Sequence, residues 1–287
     1  MKKLLALALC LLFFPLFAMA ENVIVDKIAD PNADFAFDED ATLLEIYFPK
    51  INGVDAAYVR CGEWSMLIDC GGSEWREVQA LLDKLGVTKI NYAVNSHPDA
   101  DHIGGFNHVL KSVACDEFLL GFPEDFPDGD SLRFKVYDDL HKLGIPFRQV
   151  SDGEILSLGD AQATVLQCED NSLKRVNNRS VLLMIQLGER RIFFTGDIQR
   201  DAQLLLASDE SRDLRADIVK HPHHGYLNMQ ADFIRRVSPA LVILTSGRST
   251  AKGVEILRQE KLPYYFCENG VIRLATDGQI WTIERIK

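Results

Sequence analysis

The sequence has no Cys-x-x-Cys pair, no internal repeat, no low-complexity stretch and no apolar run long enough to span a bilayer. Without paired cysteines, a cysteine zinc knot is excluded. Cys61, Cys70, Cys115, Cys168 and Cys267 remain once Cys10 is set aside, and an odd, scattered set does not read as a disulfide framework. Buried thiols are expected, with room for one disulfide in an oxidising compartment. Cys61 and Cys70 fall on one apparent hairpin, in a register not expected to oppose them. Positive charge is also scarce, with 31 Lys+Arg against 42 Asp+Glu and a net charge of −11. That excludes a broad basic face for gripping nucleic acid, because backbone affinity comes from neutralising phosphates. At 47% hydrophobic and 25% charged residues, the composition is that of an ordinary globular protein. No Pro/Gly/Ser linker divides the 287 residues, so one α/β domain is favoured over two.

The first twenty residues read separately. Met1-Lys2-Lys3 is a short basic start, Leu4 to Phe17 is apolar, and Ala18-Met19-Ala20 is a small-x-small cleavage site. This pattern predicts a secretory signal peptide cut after Ala20. The apolar run falls short of the ~20 residues a membrane helix needs. Cys10 follows Leu9, where a lipid-attachment site would carry a small residue. Cleavage removes Lys2 and Lys3 and no acid, which makes the charge two units more negative. The expected organisation is a signal peptide over 1–20, an acidic arm over 21–41 and a folded domain over 42–287. The expected location is periplasmic or secreted, with no transmembrane segment in the mature chain.

From Thr42 the pattern turns to strands. Leu43–Phe48, Ala56–Arg60 and Ser65–Asp69 are short apolar runs separated by Asn52-Gly53 and Gly62, a β-meander. A helix follows, with Ser73 as its expected cap and Gly86 as its stop. Ile90–Val94 reads as a buried strand, Gly104–Lys111 as a short helix, Glu117–Leu120 as a strand and Ser131–Leu143 as a helix. Further strands are expected over Gln162–Gln167, Val181–Leu187, Arg191–Thr195, Ile218–Lys220, Leu241–Leu244, Val271–Ala275 and Trp281–Glu284. Helices are expected over Asp201–Leu206, Gln230–Val237 and Val254–Gln259. This alternation predicts two sheets with helices outside.

Five of the seven histidines fall in two clusters, each after an apolar strand, where α/β folds build sites. The first cluster, Ser96-His97-Pro98-Asp99-Ala100-Asp101-His102-Ile103-Gly104-Gly105, holds four metal-type ligands in six residues. The bland alternative is a polar turn in which Asp101 caps the next helix. The second cluster is Lys220-His221-Pro222-His223-His224-Gly225. Adjacent His223 and His224 are not expected to bind one ion, so one is read as a ligand and the other as an orienting or substrate-facing group. His221 is placed farther from the metal or on the surface. Between the clusters, Thr195-Gly196-Asp197 delivers a carboxylate at the end of an apolar strand.

Taken in order, Ile68-Asp69-Cys70-Gly71, SHPDADHIGG, TGD and HHG resemble the metallo-β-lactamase superfamily. The match is to the H-x-D-x-D-H branch, which includes the soluble C-terminal domain of ComEC-type competence proteins. Asn177-Asn178-Arg179-Ser180 and the Asn269–Gly278 tail are similar to that type as well. The resemblance implies an αββα sandwich, two mixed β-sheets with helices on the outer faces, and two divalent ions, zinc or manganese. By that resemblance one ion takes His97 and Asp99, and the other takes Asp101, His102 and one of His223 and His224. Asp197 bridges, and Asp69 braces the ligand loop. No histidine precedes the Asp197 strand, so Asn177 or Asn178 is the candidate for completing the first ion's shell. Two departures fall at expected substrate-facing positions. Tyr226 follows HHG where the ComEC-type pattern has Ser, and Ser246–Lys252 replaces an Asn and a His-Pro.

Two divalent ions and three carboxylates leave the site about +1, enough to ionise a bridging water near neutral pH. Asp101 and Asp197 are the expected catalytic carboxylates. Arg179, Tyr226, Arg248 and Lys252 are the expected substrate-binding residues, with Lys174 and Arg175 beside them. The leading expectation is an exported phosphodiesterase acting on DNA or RNA through a metal-bridging hydroxide. The alternatives are a phosphorylcholine-type or other small phosphoester esterase, a β-lactam or lactone hydrolase, and a non-catalytic binding protein on the same fold. Asp99 argues against the lactam reading, since lactamase branches keep three histidines on one zinc.

Overall fold

A computed structural model describes residues 23–127, 129–168, 173 and 175–286. The expected signal peptide and Lys174 lie outside the described residues. Two mixed sheets form the molecule. The chain first lays down β1 (Ile24–Asp26), β2 (Leu44–Phe48), β3 (Ala56–Cys61), β4 (Trp64–Cys70), β5 (Lys89–Asn95), β6 (Ala114–Leu120) and β7 (Phe147–Gln149). It then crosses to β8 (Ile155–Leu158), β9 (Ala161–Leu166), β10 (Leu182–Leu187), β11 (Arg190–Phe194), β12 (Ile218–Lys220), β13 (Leu241–Leu244) and β14 (Tyr264–Phe266). It returns to the first sheet with β15 (Val271–Thr276) and β16 (Trp281–Ile286). The first sheet has the order β1-β16-β15-β2-β3-β4-β5-β6-β7, and the second β14-β13-β12-β11-β10-β9-β8.

Apart from edge strand β1, which pairs parallel to β16, each sheet is antiparallel on one side and parallel on the other. The parallel run is β4 to β7 in the first sheet and β11 to β14 in the second. Helices α1 (Trp75–Lys84), α2 (Ala100–Ile103), α3 (Phe106–Val109) and α4 (Leu132–Leu143) belong to the first half of the chain. Helices α5 (Arg200–Ser208), α6 (Ala231–Val237) and α7 (Val254–Gln259) belong to the second.

The strand sequences explain the layering. In β10 to β13, Leu183, Ile185, Ile192, Phe194, Ile218, Leu241 and Ile243 enter the core shared by the two sheets. Their neighbours Leu182, Met184, Phe193, Val219, Val242 and Leu244 enter the core beneath α5, α6 and α7. Side chains alternate at period two, so strands covered on both faces read as continuous apolar runs. That is the pattern seen in Ile-Phe-Phe and Leu-Val-Ile-Leu.

Some elements differ from expectation. Glu74, not Ser73, occupies the N-cap of α1, and it makes no side-chain cap; its carboxylate instead accepts from the Asn52 amide at 2.7 Å. The expected helix over 104–111 is a single turn, Phe106–Val109, preceded across Gly104-Gly105 by another turn at Ala100–Ile103. Strands β7, β8 and β14 were not expected. They are three or four residues long, or mix charge into the apolar run, too short to show a period. The arm contributes edge strand β1, paired parallel to β16. Cys70 sits opposite Ala56 and Cys61 opposite Trp64, so that hairpin keeps the two thiols apart. Among the described residues no helix is long and apolar enough to cross a membrane.

The ligand-rich loop is held by a close backbone contact. The Gly105 amide donates to Gly71 O at 2.8 Å, and a Cβ on Gly105 would stand 1.8 Å from Cys70 O. Gly105→Ala should therefore cost about 3 kcal/mol through forced backbone displacement. At ~2–4 °C per kcal/mol, the melting temperature should fall by roughly 6 °C or more. A variant that melts within a degree of the parent would show that the approach is not close.

Candidate metal centre

The carboxyl ends of parallel strands from both sheets meet at one place. β4 delivers Asp69, β5 leads into Ser96-His97, β11 into Thr195-Gly196-Asp197, β12 into Lys220-His221, and β13 into Thr245. Crevices outside strand carboxyl ends are the usual ligand sites of α/β sheets.

Two buried carboxylates hold imidazoles from behind. Asp69, in a left-handed conformation at φ 52, accepts from the Ser96 amide at 2.8 Å and from its hydroxyl at 2.7 Å. Its Oδ2 lies 2.8 Å from His102 Nδ1. Asp55, immediately before β3, lies 2.9 Å from His224 Nδ1, accepts from Thr245 Oγ1 and pairs with the Lys220 ammonium. With a carboxylate on each Nδ1, the proton belongs on that nitrogen and Nε2 faces the site. The sequence reading missed Asp55, Thr245 and the part played by Lys220. The available signal was a lone acid leading an apolar strand, the mirror of Asp197 ending one.

The loop after β5 does not behave as a capping turn. Asp99, not Asp101, is the N-cap of α2, and its side chain caps nothing. Instead Asp99 Oδ2 lies 3.5 Å from His97 Nε2. The His97 and His102 rings are 4.0 Å apart, both fully buried.

His223 and His224 are consecutive left-handed residues, with φ 49 and 58. Non-glycine residues rarely adopt this conformation, at a cost of ~1–3 kcal/mol each. The result is that both rings turn toward Asp197. His224 Nε2 lies 3.3 Å from Asp197 Oδ2 and 3.3 Å from Asp101 Oδ2. His223 Nε2 lies 3.8 Å from the same Asp197 oxygen, while its Nδ1 contacts the Gln199 amide at 3.3 Å. His102 Nε2 approaches that oxygen from another side at 3.3 Å.

These positions fit divalent cations on two counts. First, His97 Nε2, His102 Nε2, His224 Nε2 and Asp197 Oδ1 are buried and have no hydrogen-bond partner, a costly state for polar atoms. Donors about 2.0–2.1 Å from a tetrahedral ion stand about 3.3–3.4 Å apart, close to the spacings between these nitrogens and the carboxylate oxygens. Second, among the described residues Asp55, Asp69 and Asp197 are buried against a single buried ammonium, Lys220. Burial opposes charge on His102 and His224. The surrounding carboxylates, Asp197 first, outweigh it and hold both imidazoles well above their ordinary pKa. Burial would likewise raise Asp197, but His224 and His102 hold it well below the usual carboxylate range. The pocket is built for positive charge. Donor atoms of Asp55, His102, Asp197 and His224 all lie within 4.8 Å of one another. Asp55 reaches this group from the Nδ1 side, where its oxygens are already bonded.

The remaining expected residues spread around this centre. Asn178 is buried, with Oδ1 accepting from the Gln199 amide at 2.6 Å; no contact among the described residues brings Asn177 or Asn178 to His97 or Asp99. Tyr226 packs against both histidines, with ring centroids 5.5 Å from His223 and 5.2 Å from His224. Arg179 is exposed and stands over Phe126 at 5.1 Å. Lys252 is exposed on the loop before α7, and Arg248 turns toward Phe266 at 5.9 Å. His221 is fully buried, its Nδ1 on Pro222 O at 2.8 Å, and burial lowers its pKa to about 4. It is therefore neutral and inside the protein rather than at the surface.

Comparison with known proteins identifies the family and the fold. Residues 52–236 match the model of the metallo-beta-lactamase superfamily. The chain is 26% identical over 204 residues to ComE operon protein 3 of Bacillus subtilis, covering 64% of this chain and 26% of that protein. It is 24% identical over 196 residues to competence protein ComA of Neisseria gonorrhoeae, covering 67% of this chain and 26% of that one. The chain thus spans about a quarter of the length of these relatives. The crystal structure of Tm1679, a metal-dependent hydrolase of the beta-lactamase superfamily, shares the fold at a TM-score of 0.53 and 16% identity, covering 80% of this chain and 98% of that one. With its two mixed sheets, its strand-end histidines and this match over most of its length, the chain belongs to the metallo-beta-lactamase superfamily.

Proposed function

We propose that the protein is an exported two-metal phosphodiesterase whose substrate is DNA or RNA. One observation carries the metal reading: Nε2 of His97, His102 and His224 and Oδ1 of Asp197 are buried without a hydrogen-bond partner, and His102 and His224 Nε2 each stand 3.3 Å from Asp197 Oδ2. His97, Asp99 and His223 would hold one ion, and Asp101, His102 and His224 the other, with Asp197 between them. On this reading the adjacent histidines serve different ions, and His223 supplies the donor for which Asn177 and Asn178 were candidates. Two divalent ions, zinc or manganese, would supply Lewis acidity toward a phosphoryl oxygen and lower the pKa of water for in-line attack.

The chain's own residues set direction and charge. His97, His102, His224 and Asp197 are buried. Asp99 and Asp101 keep 35% and 41% of their side chains exposed, and His223 keeps 25%. Substrate therefore approaches over Asp99, Asp101 and His223, with Tyr226 against the imidazoles at that rim. Asp55 and Asp69 orient His224 and His102 through Nδ1. Arg179 and Lys252 are cations that could meet a phosphate outside the centre. Kinship with proteins named for competence supports nucleic acid over other phosphodiesters.

Three outcomes are expected. With Mn²⁺ or Zn²⁺, the purified protein should hydrolyse single-stranded DNA and bis-p-nitrophenyl phosphate. His97→Ala or Asp197→Ala should each lower the rate by at least about 100-fold, more than loss of a residue behind a ligand. Turnover unchanged in both variants would end the reading. Asp69→Asn keeps a side chain that tolerates the left-handed backbone but removes the charge behind His102. Metal affinity by calorimetric titration should fall about 10–100-fold, and an unchanged affinity would count against the orienting role. Amino-terminal sequencing of the exported protein should begin at Glu21; a start at Met1 would refute cleavage.

A further inference from the structure

A groove at the open edge of the sandwich shares no residue with the metal centre. Its cavity volume is about 490 Å³, within the ~300–1,000 Å³ range of small-molecule sites. Arg248, Arg258 and Arg285 line it together with Tyr264, Tyr265 and Phe266. The three aromatics form β14, the edge strand of the second sheet. Tyr265 Oη donates to Asp26 Oδ2 at 2.7 Å, so the groove spans the junction with β1, an edge strand of the first sheet.

Among the described residues no carboxylate lines this groove, although the chain carries a net charge of −11. Two nearby acids are engaged, Asp26 by Tyr265 and Glu268 by the Arg248 backbone amide at 2.8 Å. Arg285 is fixed, donating to Phe266 O and Gly270 O at 2.9 Å each. Burial and the facing charge of Arg248 lower its pKa. Arg258 Nε donates to Tyr264 Oη at 3.2 Å. Arg248 and Arg258 are exposed and make no ion pair among the described residues. Their guanidinium edges are planar forks matched to phosphate, beside two half-buried tyrosine rings.

We propose that this groove binds a nucleotide unit of single-stranded nucleic acid, its base against Tyr264 and Tyr265 and its phosphate on Arg248 and Arg258. Aromatic faces beside cations are the usual means of holding single strands without reading sequence. The choice of a nucleotide over another anion rests on the phosphodiesterase reading above. The groove lies near the metal centre along the chain. Thr245 touches His224 at the metal centre, and the three steps from Thr245 to Arg248 span at most about 11 Å.

The test separates this groove from the metal centre. Binding of fluorescein-labelled oligothymidylate to the full protein is measured by anisotropy in EDTA, which removes any metal contribution. The double variant Arg248→Gln/Arg258→Gln should bind at least tenfold more weakly. Arg215→Gln/Arg235→Gln, an equal loss of charge at exposed positions elsewhere, should change binding less than twofold. Parent protein that does not bind, a groove variant that binds like the parent, or a control that falls as far as the groove variant would each overturn the proposal. Groove-dependent binding by a protein that hydrolyses no phosphodiester would uphold the groove and reject the phosphodiesterase.

Discussion

The structure turns on how buried negative charge is balanced at the meeting of its two sheets. Asp55, Asp69 and Asp197 lie at strand ends with side chains at most 8% exposed, and among the described residues Lys220 is the one ammonium buried with them. Carboxylates in such surroundings persist only when paired and hydrogen-bonded. The protein meets that demand in two layers. The outer atoms of Asp55 and Asp69 take the Nδ1 of His224 and His102, Thr245, Ser96 and Lys220. Asp197 is left facing His102 and His224, whose Nε2 atoms have no hydrogen-bond partner among the described residues. On the reading proposed above, a metal ion would complete this set and supply the counter-charge for the acids assembled there.

The layering of the sandwich makes that assembly a shared product. Each sheet contributes the carboxyl ends of its parallel strands, and neither holds a complete set. Asp69, His97 and His102 come from the first sheet, and Asp197, Lys220, His224 and Thr245 from the second. Asp55 crosses between them. Its side chain reaches His224, 169 residues away, while its amide donates to Asp101 O at 3.1 Å. Glycine at 105 lets the ligand loop pack onto the β4 turn, and left-handed backbone at 223 and 224 aims two adjacent rings inward. The cost of those strained residues is borne by the packing around them, as at many functional sites.

Much of this was legible in order along the chain. Long strands buried on both faces announce themselves as apolar runs, and four metal-type ligands in six residues stand out against any background. Hence the fold class, the ligand loop and Asp197 could be read directly. Short strands such as β7 and β14 could not, because three residues carry no period. Asp55 was invisible for a different reason: one acid before an apolar strand is ordinary, and only its neighbours in space give it meaning. Arg248 was read as a substrate contact, and its guanidinium stands 5.9 Å from the Phe266 ring, a placement set by the packing of the second sheet's edge.

The sequence by itself determined the family, the alternation of strands and helices, and the residue types offered to metal. These are local properties, set by side-chain chemistry and by periods of a few residues. Only the tertiary structure decided which nitrogen of each histidine faces inward, that Asp55 and Lys220 stand behind His224 and Asp197, and that three arginines and three aromatics share one groove. Those relations join residues tens to hundreds of positions apart. They arise when two twisted sheets pack face to face and bring their strand ends together, a closure that no local pattern encodes.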